Sequence, residues 1–155
     1  MHWAPSSVTH YDTGQAKRKD RSSVHLPTVY FVQGVLTRAV KIGTTGNVLY
    51  RMRQCQGYSP DRLVILGLQK GDADNEQGLH LRFVQDNLWG EWFSQSYELI
   101  EYIADHTQDV RTYYALNSPT LSARYLAGLD DFRPTLWLYR ITTTPGSGVA
   151  EDDAE

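Results

Sequence analysis

The sequence predicts a mixed α/β (α+β) domain in which short strands alternate with amphipathic helices. Residues 28–43 (TVYFVQGVLTRAVKIG) have the composition of a β-hairpin, because Val, Tyr, Phe and Ile are concentrated at both ends. Residues 63–68 (LVILGL) form a continuous apolar run, which indicates a strand covered on both faces. Between and after these runs, apolar residues recur at helical spacing.

Within the hairpin, residues 28–32 and 39–42 are the predicted strands, and Gly34 is expected at a turn position that needs a positive φ. The later elements are predicted as a helix over residues 48–55 that ends before Gly57 and Pro60, a strand over 63–68, a helix over 75–87, an extended piece over 90–93, a helix from Ser94 or Ser96 to about 106, short helices over 110–116 and 121–129, and a strand over 135–141.

Charge is distributed unevenly along the 155 residues. The formal net charge of −3 excludes a generally basic nucleic-acid binder. No Asp or Glu occurs between Asp20 and Asp61, however, so this segment presents local positive charge to an anionic ligand. The single cysteine, Cys55, excludes an intrachain disulfide and a Cys-based zinc cluster, and it fits a reducing cytoplasm. We expect no membrane span and no signal peptide, and therefore a cytoplasmic protein.

Composition divides the chain into four regions. Residues 1–26 are predicted to be a flexible polar and basic arm, in which Lys17, Arg18 and Lys19 lie along a phosphate backbone or simply belong to a disordered tail. Residues 27–106 form the predicted domain, and residues 107–142 form a C-terminal extension. An alternative for the extension is a protein-interaction surface within a larger phage or defence assembly. Residues 143–155 are predicted to be a disordered acidic tail.

Four polar residues distributed over the predicted elements suit the binding of a phosphate when taken together: Tyr30, Lys41, Arg51 and Glu76. Glu76 shares an arc of about 100° with the apolar residues of its helix, so its carboxylate must find a partner or line a cleft. Each residue alone has an ordinary structural interpretation. These are a packed tyrosine, a lysine whose stem covers apolar surface, a solvated arginine and a carboxylate at a helix N-terminus.

The motifs that contain these residues resemble the GIY-YIG endonuclease superfamily, and within it the branch of phage, bacterial and fungal proteins known as the T5orf172 or Mug113-like domain. The matching segments are Val29-Tyr30-Phe31, Val40-Lys41-Ile42-Gly43, residues 51–56 (RMRQCQ), residues 76–80 (EQGLH) and residues 90–93 (GEWF). The resemblance covers about residues 28–105. It implies a small central three-stranded antiparallel sheet flanked by helices, and metal-dependent hydrolysis of a DNA phosphodiester.

The resemblance also implies a role for each of the four residues. Glu76 would be the single carboxylate ligand of Mg²⁺ (or Mn²⁺). Tyr30 would be the general base or a proton relay, with a pKa lowered by Lys41 and the metal. Arg51 would hold phosphate oxygens bidentately. Lys41 would be a second cation at the phosphate or would polarise Tyr30.

The sequence also departs from the superfamily pattern. TVY replaces GIY and KIG replaces YIG, so one tyrosine of the usual pair is missing. Cys55 stands where many of these nucleases carry His or Tyr, and it is interpreted as an inward-packing residue, while His80 either supports Glu76 or is a core histidine. Glu91 and Trp92 are interpreted as structural.

Phosphate contacts without sequence specificity are expected from Arg38 and Arg53, together with the basic arm. The alternative function is a DNA-binding or adaptor module on the same fold, with weak or lost catalysis. In both cases the expected partner is DNA, and the oligomeric state stays open.

Overall fold

One antiparallel sheet with helices on both faces makes up the fold of residues 26–134, the part of the chain that the computed structural model describes. Its elements are β1 (Thr28–Gly34), β2 (Val40–Thr45), α1 (Val48–Tyr58), β3 (Leu63–Lys70), α2 (Ala73–Arg82), β4 (Asn87–Trp89), β5 (Trp92–Phe93), α3 (Tyr97–His106), α4 (Val110–Asn117) and α5 (Ala123–Leu129), with 3₁₀ turns at Val84–Asp86 and Asp130–Phe132. The mixed α/β class is confirmed. The basic arm with Lys17, Arg18 and Lys19, the strand over 135–141 and the acidic tail lie outside the described residues.

The expected three-stranded sheet is wrong, because the described sheet has five strands in the order β3-β1-β2-β5-β4. The two added strands form a short hairpin around Gly90, whose φ is +55°. The Asn87 side chain closes this hairpin by donating to the Gly90 carbonyl oxygen at 2.8 Å. The hairpin pairs with the edge of β2. The helix predicted over 75–87 is accordingly shorter, and it ends at Arg82 with Phe83 as its C-cap.

The hydrophobic core has two halves, one on each face of the sheet. Along β1, Tyr30 and Val32 face the half that α1, α4 and α5 cover. Val29 and Phe31 face the half that α2 and α3 cover. Strand β3 is buried over residues 63–68, which agrees with the prediction of a strand covered on both faces.

Asp61 stabilises the turn between β1 and β2. The sequence analysis missed this role of Asp61. Its buried carboxylate accepts hydrogen bonds from the backbone N–H groups of Leu36 at 2.9 Å and Thr37 at 3.1 Å, and from the Thr37 hydroxyl at 3.1 Å. The expected positive φ at Gly34 is wrong, because Arg38 adopts it with a φ of 62°. Gly34 is needed for space, since a Cβ there would lie 2.3 Å from Asp61 Oδ2.

Helix boundaries follow their capping residues. Helix α1 begins at the N-cap Asn47 and continues through Gly57 to Tyr58, beyond the predicted end at residue 55. Asp72 caps α2, and Ser96 caps α3 as one of the two serines proposed for that position. No helix within residues 26–134 has the length and apolar character needed to cross a membrane.

The described part of the C-terminal extension packs into the same core as the hairpin. The Tyr113 and Thr28 hydroxyls are 2.7 Å apart. The Tyr125 hydroxyl donates to Asn47 Oδ1 at 2.9 Å and accepts from the Leu49 N–H at 3.1 Å, at the start of α1. Helices α4 and α5 therefore brace α1. The domain boundary at residues 106 and 107 stays a prediction.

Candidate active site

Tyr30 and Gly43 face each other across the β1–β2 hairpin. Side chains of directly opposed residues lie on the same face, and Gly43 leaves that space to the tyrosine ring. A Cβ on Gly43 would lie only 2.3 Å from Tyr30 Oη, so the phenol lies across the glycine. On β2, only Val40 and Lys41 pair with β5. Gly43 and the Tyr30 hydroxyl therefore lie at the part of β2 that continues past β5.

Glu76 reaches the same end of β2 from the first turn of α2. The Thr44 hydroxyl donates a hydrogen bond to Glu76 Oε2. His80, one turn later, places Nε2 3.7 Å from Glu76 Oε1 and 2.9 Å from the Ile42 carbonyl oxygen. The Glu76 side chain is only 15% exposed, so Thr44 and His80 together orient a carboxylate that has little contact with solvent.

Arg51 projects from α1 with unused hydrogen-bonding capacity. One terminal nitrogen donates to Gln54 Oε1 at 3.1 Å. Its Nε is buried and finds no hydrogen-bond partner among residues 26–134. Arg51, Lys41 and Cys55 all line a cleft of about 640 Å³. A guanidinium with free donors in a cleft suits the planar recognition of phosphate oxygens.

The electrostatic environment of Tyr30 shows which groups lie close to its hydroxyl. Burial and, after it, the Cys55 thiol raise the pKa of Tyr30, and the carboxylates of Glu91 and Glu76 raise it further. Arg51 lowers the pKa, but the resulting pKa of Tyr30 is still well above the ordinary value of 10.0. These groups alone favour the protonated phenol, and the lowering of the Tyr30 pKa expected from Lys41 together with a bound metal stays a prediction.

Lys41, expected as a second cation at the phosphate or as the group that polarises Tyr30, forms an ion pair in the structure. Its Nζ lies 2.9 Å from Glu91 Oε2 and 5.7 Å from the centre of the Trp92 ring. Glu91 and Trp92, interpreted from the sequence as structural, therefore place Lys41 at the cleft. The Lys41 side chain is 19% exposed and remains accessible to an anion.

The structure does not bring every predicted residue to the cleft that Arg51 and Lys41 line. Tyr30, Glu76 and His80 do not line it. Arg38 is exposed in the β1–β2 turn. Arg53 is exposed on α1, and one of its terminal nitrogens lies 3.2 Å from where a Cβ on Gly128 would be, so it faces the extension. Lys17, Arg18 and Lys19 lie outside the described residues.

Several residues at the site were missed by the sequence analysis. Thr44 follows the KIG motif directly, and a hydroxyl at a strand end was the available signal. Tyr58 and Trp89 also line the cleft, and a tryptophan beside a hairpin glycine was the corresponding signal for the second of them.

Metal ligands near the site are few. Residues 26–134 contain no group of three or more His, Cys, Asp and Glu side chains that could hold an ion. Magnesium commonly binds through one or two carboxylates and keeps several waters. The Glu76 carboxylate, oriented by Thr44, fits a site of this water-rich kind and does not fit a closed protein cage.

No protein-family model, curated protein or solved structure matches the chain, so functional inference depends on its own residues.

Proposed function

We propose that the chain is a Mg²⁺-dependent (or Mn²⁺-dependent) DNA endonuclease of the GIY-YIG kind. The observation that carries the proposal is the buried Arg51 Nε, which has no hydrogen-bond partner among residues 26–134 and belongs to a side chain that lines a cleft with Lys41. Tyr30 and Glu76 do not line this cleft, but the charge of Arg51 and, more weakly, that of Glu76 shift the pKa of the Tyr30 hydroxyl. A phenol, a guanidinium and a carboxylate are groups that phosphodiester hydrolysis can use.

Arg51 is the principal phosphate-binding group in this proposal. Its Nε and remaining terminal donors would hold two non-bridging oxygens and stabilise the charge that develops as water attacks phosphorus. Lys41 adds a second cation at the same cleft, weakened by its pairing with Glu91. The local excess of positive charge in residues 21–60 favours the approach of the DNA backbone.

Tyr30 acts in its protonated form. Because the phenol is neutral, it would donate a hydrogen bond to a phosphate oxygen, or receive the proton of the attacking water while passing its own proton to that phosphate oxygen. Glu76 would bind the metal, with Thr44 holding one of its oxygens. When bound, the ion would supply positive charge at the leaving oxygen.

The test is cleavage of supercoiled plasmid and of branched DNA by the full-length chain in Mg²⁺ or Mn²⁺. Glu76→Gln keeps the shape of the side chain and should lower the cleavage rate by at least about 100-fold, since a metal contributes several kcal/mol. Glu98→Gln is the matched control, because Glu98 is an exposed glutamate in the first turn of α3. Circular dichroism should show both variants folded. Cleavage that persists in Glu76→Gln would refute the assignment.

The second candidate is a DNA-binding or adaptor module on the same fold. Two observations favour it: the pKa of Tyr30 is raised and Lys41 is paired with Glu91, and both features work against activation of a nucleophile. Binding of DNA without cleavage in any divalent metal would support this module.

A further inference from the structure

Three aromatic side chains outside the hydrophobic core surround the cleft that contains Arg51 and Lys41. Tyr58 is 87% exposed and Trp89 is 78% exposed, and Trp92 is half-buried beside them. Aromatic rings carry large apolar areas, so an exposed pair beside two cations indicates a ligand that offers both flat apolar faces and negative charge.

The sheet arranges two of these rings with a cation in one row. Lys41 on β2 pairs with Trp92 on β5, and Trp92 pairs with Trp89 on β4. Directly opposed residues project from the same face, so an ammonium and two indoles follow one another across three strands. Tyr58, the last residue of α1, completes the rim.

Trp89 stands between two adjoining clefts. The first, of about 640 Å³, contains Arg51 and Lys41, and the second, of about 370 Å³, contains Leu88 and Leu63. Trp89, Trp92 and the loop at residues 59–60 border both clefts. A volume of several hundred Å³ is in the range that holds one small ligand, so each cleft has room for a base.

We infer that these clefts hold unpaired nucleotides, with a base stacked on Trp89 and the neighbouring phosphate at Arg51. The inference rests on the proposed nucleic-acid substrate and narrows it to DNA that is single-stranded or locally unpaired. In a duplex the bases stack on one another, so exposed indole and phenol rings have no base face to cover. In single strands every base offers such a face, and rings beside cations form the usual binding track.

The experiment measures binding by fluorescence anisotropy with the full-length chain in EDTA, so that cleavage cannot contribute. The ligands are a fluorescein-labelled oligothymidine and a blunt duplex of equal length. The wild-type chain should bind oligothymidine more tightly. Trp89→Ala should weaken oligothymidine binding about 10- to 100-fold and change duplex binding by less than about twofold. Tyr97→Ala is the control, since Tyr97 is 60% exposed on α3 and does not line either cleft.

Equal affinity of the wild-type chain for both ligands would overturn the inference, and so would an equal loss for both ligands in Trp89→Ala. Light scattering provides a further check on the role of Trp89. If the wild-type chain is a dimer and Trp89→Ala dissociates it without changing oligothymidine affinity, the indole serves self-association and the inference is wrong. The nuclease proposal fails separately. If Trp89→Ala selectively loses oligothymidine binding and the wild-type chain cleaves no DNA in any metal, the clefts bind unpaired nucleotides and the catalytic role is refuted.

Discussion

Gly43→Ala should displace the Tyr30 ring and thereby disable the site. The new Cβ would lie 2.3 Å from Tyr30 Oη and 2.4 Å from Cζ, whereas nonbonded heavy atoms rest at about 3.5–4.0 Å. The ring must therefore move by more than about 1 Å, although it is only 2% exposed and packed in the core. Gly43 is not among the residues with positive φ, so the cost is steric, about 1–3 kcal/mol.

Urea unfolding measures this cost, and Gly46→Ala is the matched control because a Cβ there meets nothing within 4 Å. The control should change the free energy of unfolding by less than about 0.5 kcal/mol. In a Tyr30→Ala background, Gly43→Ala should cost less than about 0.5 kcal/mol, since the clashing ring is gone. An equal cost in both backgrounds would show that the ring does not cross Gly43. In the otherwise wild-type chain, cleavage should fall about 100-fold, the loss typical of a 1 Å misplacement.

Two further substitutions test the surroundings of the site. Glu91→Gln removes the partner of Lys41 and a charge that raises the pKa of Tyr30. DNA should therefore bind more tightly at low salt, and the slope of log K against log salt should steepen by about 0.7–0.9. An unchanged slope in anisotropy titrations would show that Lys41 does not contact phosphate. Asp61→Asn should lower the free energy of unfolding by about 1.5–3 kcal/mol at pH 7. Burial raises the pKa of Asp61, but hydrogen bonds from the β1–β2 turn hold this pKa below its ordinary value of 3.8. The contribution of the Asp61 carboxylate to the free energy of unfolding is therefore complete above pH 3.8, and it is lost as the pH falls through the lower pKa of the folded state. The difference in urea midpoint between wild type and Asp61→Asn should therefore shrink in acid, and a constant difference would contradict the role given to the carboxylate.

Local patterns predicted the elements whose signals lie within a few residues. The hairpin, the buried β3 and the capped α3 all follow from composition and spacing. The predicted extended piece over 90–93 contains β5, but β4 and the pairing with β2 were missed. The two strands are only three and two residues long, and the pairing depends on residues more than forty positions away. A short apolar segment after a helix has no local signal that separates a helical continuation from a strand.

The site shows the same division between local and distant information. The resemblance of the motifs selected Tyr30, Lys41, Arg51 and Glu76. The structure places Arg51 and Lys41 in one cleft, whereas Glu76 contacts Thr44 farther along β2. The proximity of Glu91 to Lys41 could not be read from spacing, because β5 joins the sheet through a long-range pairing. The need for glycine at position 34 likewise depends on a distant residue, since the Asp61 carboxylate occupies the space beside it.

The raised pKa of Tyr30 constrains how this site can work. A tyrosine with an ordinary pKa of about 10 is ionised to roughly one part in a thousand at pH 7, and burial reduces that fraction further. Arg51 lowers the pKa, but not enough to offset burial and the three groups that raise it. A neutral phenol can donate a hydrogen bond, so in the proposed site Tyr30 and Arg51 would both offer donors to a phosphate. In the proposed nuclease, Lys41 at the position of the second superfamily tyrosine would add a cation to these donors.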